Sequence, residues 1–119
     1  MPDARGKDDL VSTPQIHGDA VIAAVRGEID LHNSPELRSA LLGVLGKNRP
    51  KKLIVNLAQV PYVDSSAIAV LVETLQKMRR GGGRVVLVAV QPRVKGLLEI
   101  ARLDSIFVLA ASDDEALAK

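Results

Sequence analysis

Val60-Pro61-Tyr62-Val63-Asp64-Ser65-Ser66-Ala67-Ile68-Ala69-Val70-Leu71 is the stretch on which the reading of this fold turns. An apolar run, Leu53 to Leu57, leads into it through a short connection holding one proline. Apolar residues at Ile68, Leu71, Val72, Leu75 and Met78 lead out of it at helical spacing. That order is strand, turn, helix. The turn delivers an acid and two hydroxyls to a helix start, where the first backbone N–H groups lack intrahelical acceptors and the dipole favours negative charge. Asp or Ser is the expected N-cap there, a role that by itself needs no further function. A second reading has Asp64 cap the helix while Ser65 stays outside, with its hydroxyl presented at a ready-made phosphate site.

Toward the C-terminus the helix is predicted to run to about Arg80, where Gly81-Gly82-Gly83 ends it, since glycine takes the left-handed conformation without steric cost. No Gly-Lys-Ser/Thr follows these glycines, so they do not read as a phosphate loop. Arg84 to Val90 is predicted as a strand, Pro92 opens a helix carrying Val94, Leu97, Leu98 and Ala101, and Ile106 to Leu109 reads as a short last strand. Ser112-Asp113-Asp114-Glu115 has the pattern of a capping box for a C-terminal helix.

Toward the N-terminus, Ala20 to Val25 is a continuous apolar run between Gly18 and Gly27, predicted as a strand covered on both faces. Leu10 to Ile16 is predicted to pair with it as a hairpin through His17-Gly18-Asp19, with Pro14 suiting an edge strand. A polar connection ends at Ser34-Pro35, which reads as N-cap and first helical residue. The helix that follows carries Leu37, Ala40, Leu41, Val44 and Leu45 on one face and closes from Gly46 to Pro50. Lys47, Arg49, Lys51 and Lys52 form a basic cluster, either a solvated helix end or an anion site. Residues 1–9 read as a flexible tail and residues 10–119 as one domain. Strands alternate with helices from residue 53 onward, which requires crossovers and parallel pairing. The expected fold class is α/β, a mixed, mostly parallel sheet of about five strands packed with about four helices.

With 47% hydrophobic residues in 119 but only one Tyr, one Phe and no Trp, the core must be aliphatic. The absence of cysteine excludes disulfides, thiolate catalysis and Cys-based zinc sites. Apolar runs reach about six residues, against the roughly twenty of a membrane helix, so membrane insertion is not expected. The first nine residues lack the apolar core of a signal peptide, and a cytoplasmic location is the default expectation. Sixteen basic and fourteen acidic residues give a net charge of +2, and aromatics for base stacking are scarce, so direct nucleic-acid binding is not expected. No metal-ligand spacing or cofactor motif is present. A Ser65–His32–Asp30 relay can be drawn, but the Gly-x-Ser-x-Gly elbow is missing. A small domain with a serine at a helix start and no catalytic set suits a protein that is acted upon.

Gly27-Glu28-Ile29-Asp30, Leu53 to Leu57 leading to Val63-Asp64-Ser65-Ser66, and the Gly-rich helix end before Arg84-Val85-Val86-Leu87-Val88 resemble the STAS domain, and within it the bacterial anti-sigma factor antagonists. The resemblance spans roughly residues 10–118. It implies a non-catalytic regulator, without cofactor, whose Ser65 is phosphorylated by an anti-sigma factor that is also a serine kinase and restored by a phosphatase. It implies that Asp64 orients the serine, that Asp30 lies close by on the neighbouring loop, and that the partner contacts Asp30, Asp64, Ser65, Ser66, Ala67 and Ala69. The commonest form of the motif has glycine where this chain has Ala67 and Ala69, so the partner would meet two added methyl groups. The alternative within the family is a subunit that docks the same helix on the ATPase of a membrane transport assembly, or a scaffold in a sensory complex.

Overall fold

The computed structural model describes residues 9–119; all of the predicted tail except Asp9 lies outside them. Its sheet has five strands in the order β1 (Gln15–His17), β2 (Ala20–Arg26), β3 (Lys52–Gln59), β4 (Arg84–Val88) and β5 (Val108–Ala110), so spatial and chain order coincide. β1 and β2 pair antiparallel through a turn in which Gly18 has φ +61°, and the other strands are parallel. Helices α1 (Ser34–Asn48), α2 (Ser65–Arg80) and α3 (Pro92–Ile100) connect the parallel strands, and α4 (Asp113–Ala118) follows β5.

Crossovers of one hand that always step in the same direction leave their helices on one face of the sheet. The core divides accordingly. Val21, Ala23, Val25, Leu53, Val55, Leu57, Val85 and Leu87 pack beneath Leu37, Leu41, Leu71, Leu75, Met78, Val94 and Leu98 of α1, α2 and α3. The alternate residues Ala20, Ile22, Ile54, Val86, Val88 and Ala110 pack against Ala116 of α4. Strands covered on both faces explain the unbroken apolar runs in the sequence.

Several boundaries differ from expectation for local reasons. The first strand shrinks to Gln15–His17, with an isolated Val11–Val25 bridge, because Pro14 has no N–H to give a ladder. β4 stops at Val88 because Ala89 turns to φ 55°, and the last strand is displaced to Val108–Ala110. α1 runs through Gly46 and is closed by Arg49, at φ 45° with its N–H bonded to Leu45 O. At the end of α2, Gly81 keeps φ −88° and Gly82 takes the left-handed φ of +80°. Gly83 is demanded by packing, since a Cβ there would lie 2.8 Å from Lys51 O and 2.8 Å from Met78 Cε. The Ser112 hydroxyl caps α4 by accepting from Glu115 N–H, while Glu115 Oε1 reaches back one residue past the cap to Ala111 N–H. Of the basic cluster, Lys52 donates to Ala116 O (2.9 Å) and Leu117 O (3.0 Å), closing the end of α4.

Candidate functional site

β2 and β3 continue their association beyond the regular ladder. Gly27 N–H donates to Gln59 O (2.8 Å), Ile29 N–H to Tyr62 O (3.1 Å) and Asp64 N–H to Ile29 O (3.0 Å). Ile29 and Val63 form a parallel bridge, and both are buried. These contacts press the loop after β2 against the connection before α2, at the carboxyl edge of the sheet.

Asp64 sits where the two meet. Its backbone is extended, as an N-cap requires, and its Oδ1 accepts from Ser66 N–H (2.9 Å), Ala67 N–H (3.3 Å) and the Ser66 hydroxyl (2.5 Å). Its Oδ2 accepts from Leu31 N–H at 3.0 Å, across the two loops. The Ser66 hydroxyl, helped by these backbone N–H groups and opposed by partial desolvation, holds the carboxyl below its ordinary pKa, so Asp64 is an anion.

Asp64 therefore caps α2 and leaves Ser65 exposed, and among the described residues the Ser65 hydroxyl has no hydrogen-bond partner. Two expectations change. The hydroxyl that Asp64 orients belongs to Ser66, not Ser65. The helix start is also not an open phosphate cradle: Asp64 already takes Ser66 and Ala67 N–H by its side chain and Ile68 N–H by its carbonyl. Of the four N–H groups of this first turn, only that of Ser65 is left without an acceptor among the described residues.

Asp30 lies on the neighbouring loop and shapes it. Its Oδ1 accepts from His32 N–H (2.9 Å) and Asn33 N–H (3.3 Å), and its N–H donates to Asn33 Oδ1 (2.8 Å). The amide of Asn33 donates to Glu28 O at 2.9 Å. Asp30 thus bonds the backbone of His32 rather than its ring, and no Ser–His–Asp relay is assembled from Ser65, His32 and Asp30.

The two alanines part company. Ala67 has 0% exposure and faces the core, so its methyl cannot meet a partner, which corrects its place among the contact residues. Ala69 is exposed, one helical turn from Ser65 and on the same face. In the connection before α2, the Tyr62 ring lies 4.9 Å from the Arg93 guanidinium, and the Gln91 amide donates to Ala58 O at 2.7 Å. Sequence reasoning passed over Leu31. Its signal was a second apolar residue, beside Ile29, in a loop of otherwise polar residues and glycine.

The family model of the STAS domain matches residues 12–116. The chain belongs to the STAS domain family. Among its relatives is the anti-sigma-B factor antagonist of Staphylococcus epidermidis, 30% identical over 87 residues that cover 73% of this chain and 80% of that protein. An anti-sigma factor antagonist from Mycobacterium paratuberculosis superposes with a TM-score of 0.80 at 27% identity, covering 93% of this chain and 94% of its own. A sulfate transporter family protein from Wolinella succinogenes superposes with a TM-score of 0.74 at 21% identity, over 87% of this chain and 86% of its own, a likeness of fold alone. In this STAS domain no helix among the described residues is long and apolar enough to cross a membrane.

Proposed function

We propose that this STAS domain is an anti-sigma factor antagonist: a non-catalytic cytoplasmic module that binds an anti-sigma factor with serine kinase activity and is switched by phosphorylation of Ser65, with a phosphatase reversing the switch. The supporting observation is the state of Ser65, exposed and unbonded on the first turn of a helix whose cap Asp64 already provides. Phosphate added there gains about 0.3–1 kcal/mol from the helix dipole, offset in part by repulsion from the Asp64 anion. The fold is left nearly unchanged. At an interface the same dianion changes binding by about 2–5 kcal/mol, so the modification acts on association. In this reading Ser65 and Ala69 meet the partner directly, while Asp64, Ser66 and Asp30 hold the surface in shape and the two carboxylates give it negative charge.

The test is to mix the protein with ATP and a purified serine-kinase anti-sigma factor and map phosphate by mass spectrometry. A complex before ATP is added, one phosphate at Ser65 afterwards, and no complex with Ser65→Asp are the expected results. Neither complex nor modification would sink the proposal. The second reading, α2 docked on the ATPase of a transport assembly or inside a sensory scaffold, draws on the exposed Ala69 methyl. It predicts that Ser65→Asp leaves the native complex intact.

A further inference from the structure

We infer that Leu31 is the apolar anchor of the docking surface, a side chain that the partner acting on Ser65 buries in a pocket with a basic rim. The inference rests on the proposed function and adds to it the chemistry of the partner's surface. Leu31 is 75% exposed. Among the described residues the other exposed large apolar side chains, Ile16 (63%) and Ile100 (81%), lie at the opposite end of the sheet: Ile16 pairs with Val21 at the start of β2, and Ile100 closes α3.

A lone exposed leucine needs no explanation, but this one is fixed in place. Its N–H is held by Asp64 Oδ2, and the turn around it is closed by the bonds of Asp30 with His32 and Asn33 and of Asn33 with Glu28. The loop is already ordered, so a partner has only the side-chain rotamer to immobilise. One carboxylate bonds both Leu31 and the first turn of α2, which places the leucine beside Ser65. An interface of ordinary size that covers the serine covers Leu31 as well. Glu28 and Asp30 are exposed acidic residues on the same loop as the leucine, and the Asp64 carboxylate bonds its N–H, so a basic rim around an apolar pocket is the complement of this surface.

The experiment measures the dissociation constant of the full chain for each purified serine-kinase anti-sigma factor of the source genome by calorimetry, without nucleotide. Wild type, Leu31→Ala, Leu31→Met, Ile16→Ser and Ile100→Ser are compared. Leu31→Ala is expected to weaken binding roughly 10- to 100-fold, from the loss of one buried leucine side chain. Leu31→Met should restore it to near wild type, and the two isoleucine variants should bind as wild type does. If wild type binds and Leu31→Ala binds equally well, the inference fails while the proposed function stands. If wild type binds none of these factors, both fall.

Discussion

At the start of α2, Asp64 turns its carboxylate onto the Ser66 and Ala67 N–H groups and leaves Ser65 in solvent, whereas at the start of α1 Asn33 turns its amide away from the helix and Ser34 is buried. The two segments look alike on paper, each an Asx-Ser pair after a parallel strand. The difference lies in who serves the first turn. In α1, Pro35 removes one N–H, the Asn33 carbonyl accepts from Glu36 (3.0 Å) and Leu37 (3.2 Å), and the Asp30 carbonyl accepts from Ser34 (2.8 Å). Backbone oxygens suffice there, and the Asn33 side chain is released to brace the loop. In α2 no proline is present and the Asp64 carboxylate takes the Ser66 and Ala67 N–H groups. The serine after the cap is exposed at the start of α2 and buried at the start of α1.

The comparison breaks hardest at Asp64. Asp64→Ala removes the cap of α2 and the tether to Leu31 together, and is expected to lower Tm by about 5 °C or more. Hydrogen exchange at the Leu31 amide should quicken in the same variant; unchanged exchange would show that the tether does not order the loop. Asn33→Ala is expected to cost about half as much in Tm, since it removes two loop bonds but no helix cap. Fraying of α1 in that variant, seen as faster exchange at Glu36 and Leu37, would contradict the division of labour drawn above.

Ser66→Ala sharpens the comparison with the smallest effect. It removes the main cause of the depressed Asp64 pKa, so the Asp64 carboxyl should titrate higher by NMR. Because the folded pKa lies below the ordinary value of about 4, this stabilisation is complete above about pH 4 and is lost as pH falls through the lower folded value. The stability gap between wild type and Ser66→Ala should therefore be full near neutrality and close in acid. A gap that widens as pH falls would overturn the assignment.

The strand-turn-helix at residues 52–80 was legible because an apolar run, an Asx cap and a helical stripe agreed with one another. The start of α1 was not. Ser34-Pro35 carries a good start signal, yet the cap falls on Asn33, because the Asp30 carbonyl that receives Ser34 N–H belongs to a loop shaped by Glu28 and Asn33. Ala67 and Ala69 could not be told apart by residue type, since only the direction of the helix against the sheet sends one inward and the other out.

By itself the sequence determined the α/β class, the parallel alternation and a capped helix start at Asp64-Ser65-Ser66, since these depend on local periodicity and on short-range hydrogen bonding. The tertiary structure alone decided that the Asp64 carboxylate also holds Leu31, that Ser65 is left exposed, and that three helices share one face of the sheet while α4 covers the other. Leu31 and Asp64 are 33 residues apart in the chain. No local pattern encodes a bond over that distance; it forms because parallel pairing of β2 and β3 carries both loops to one edge.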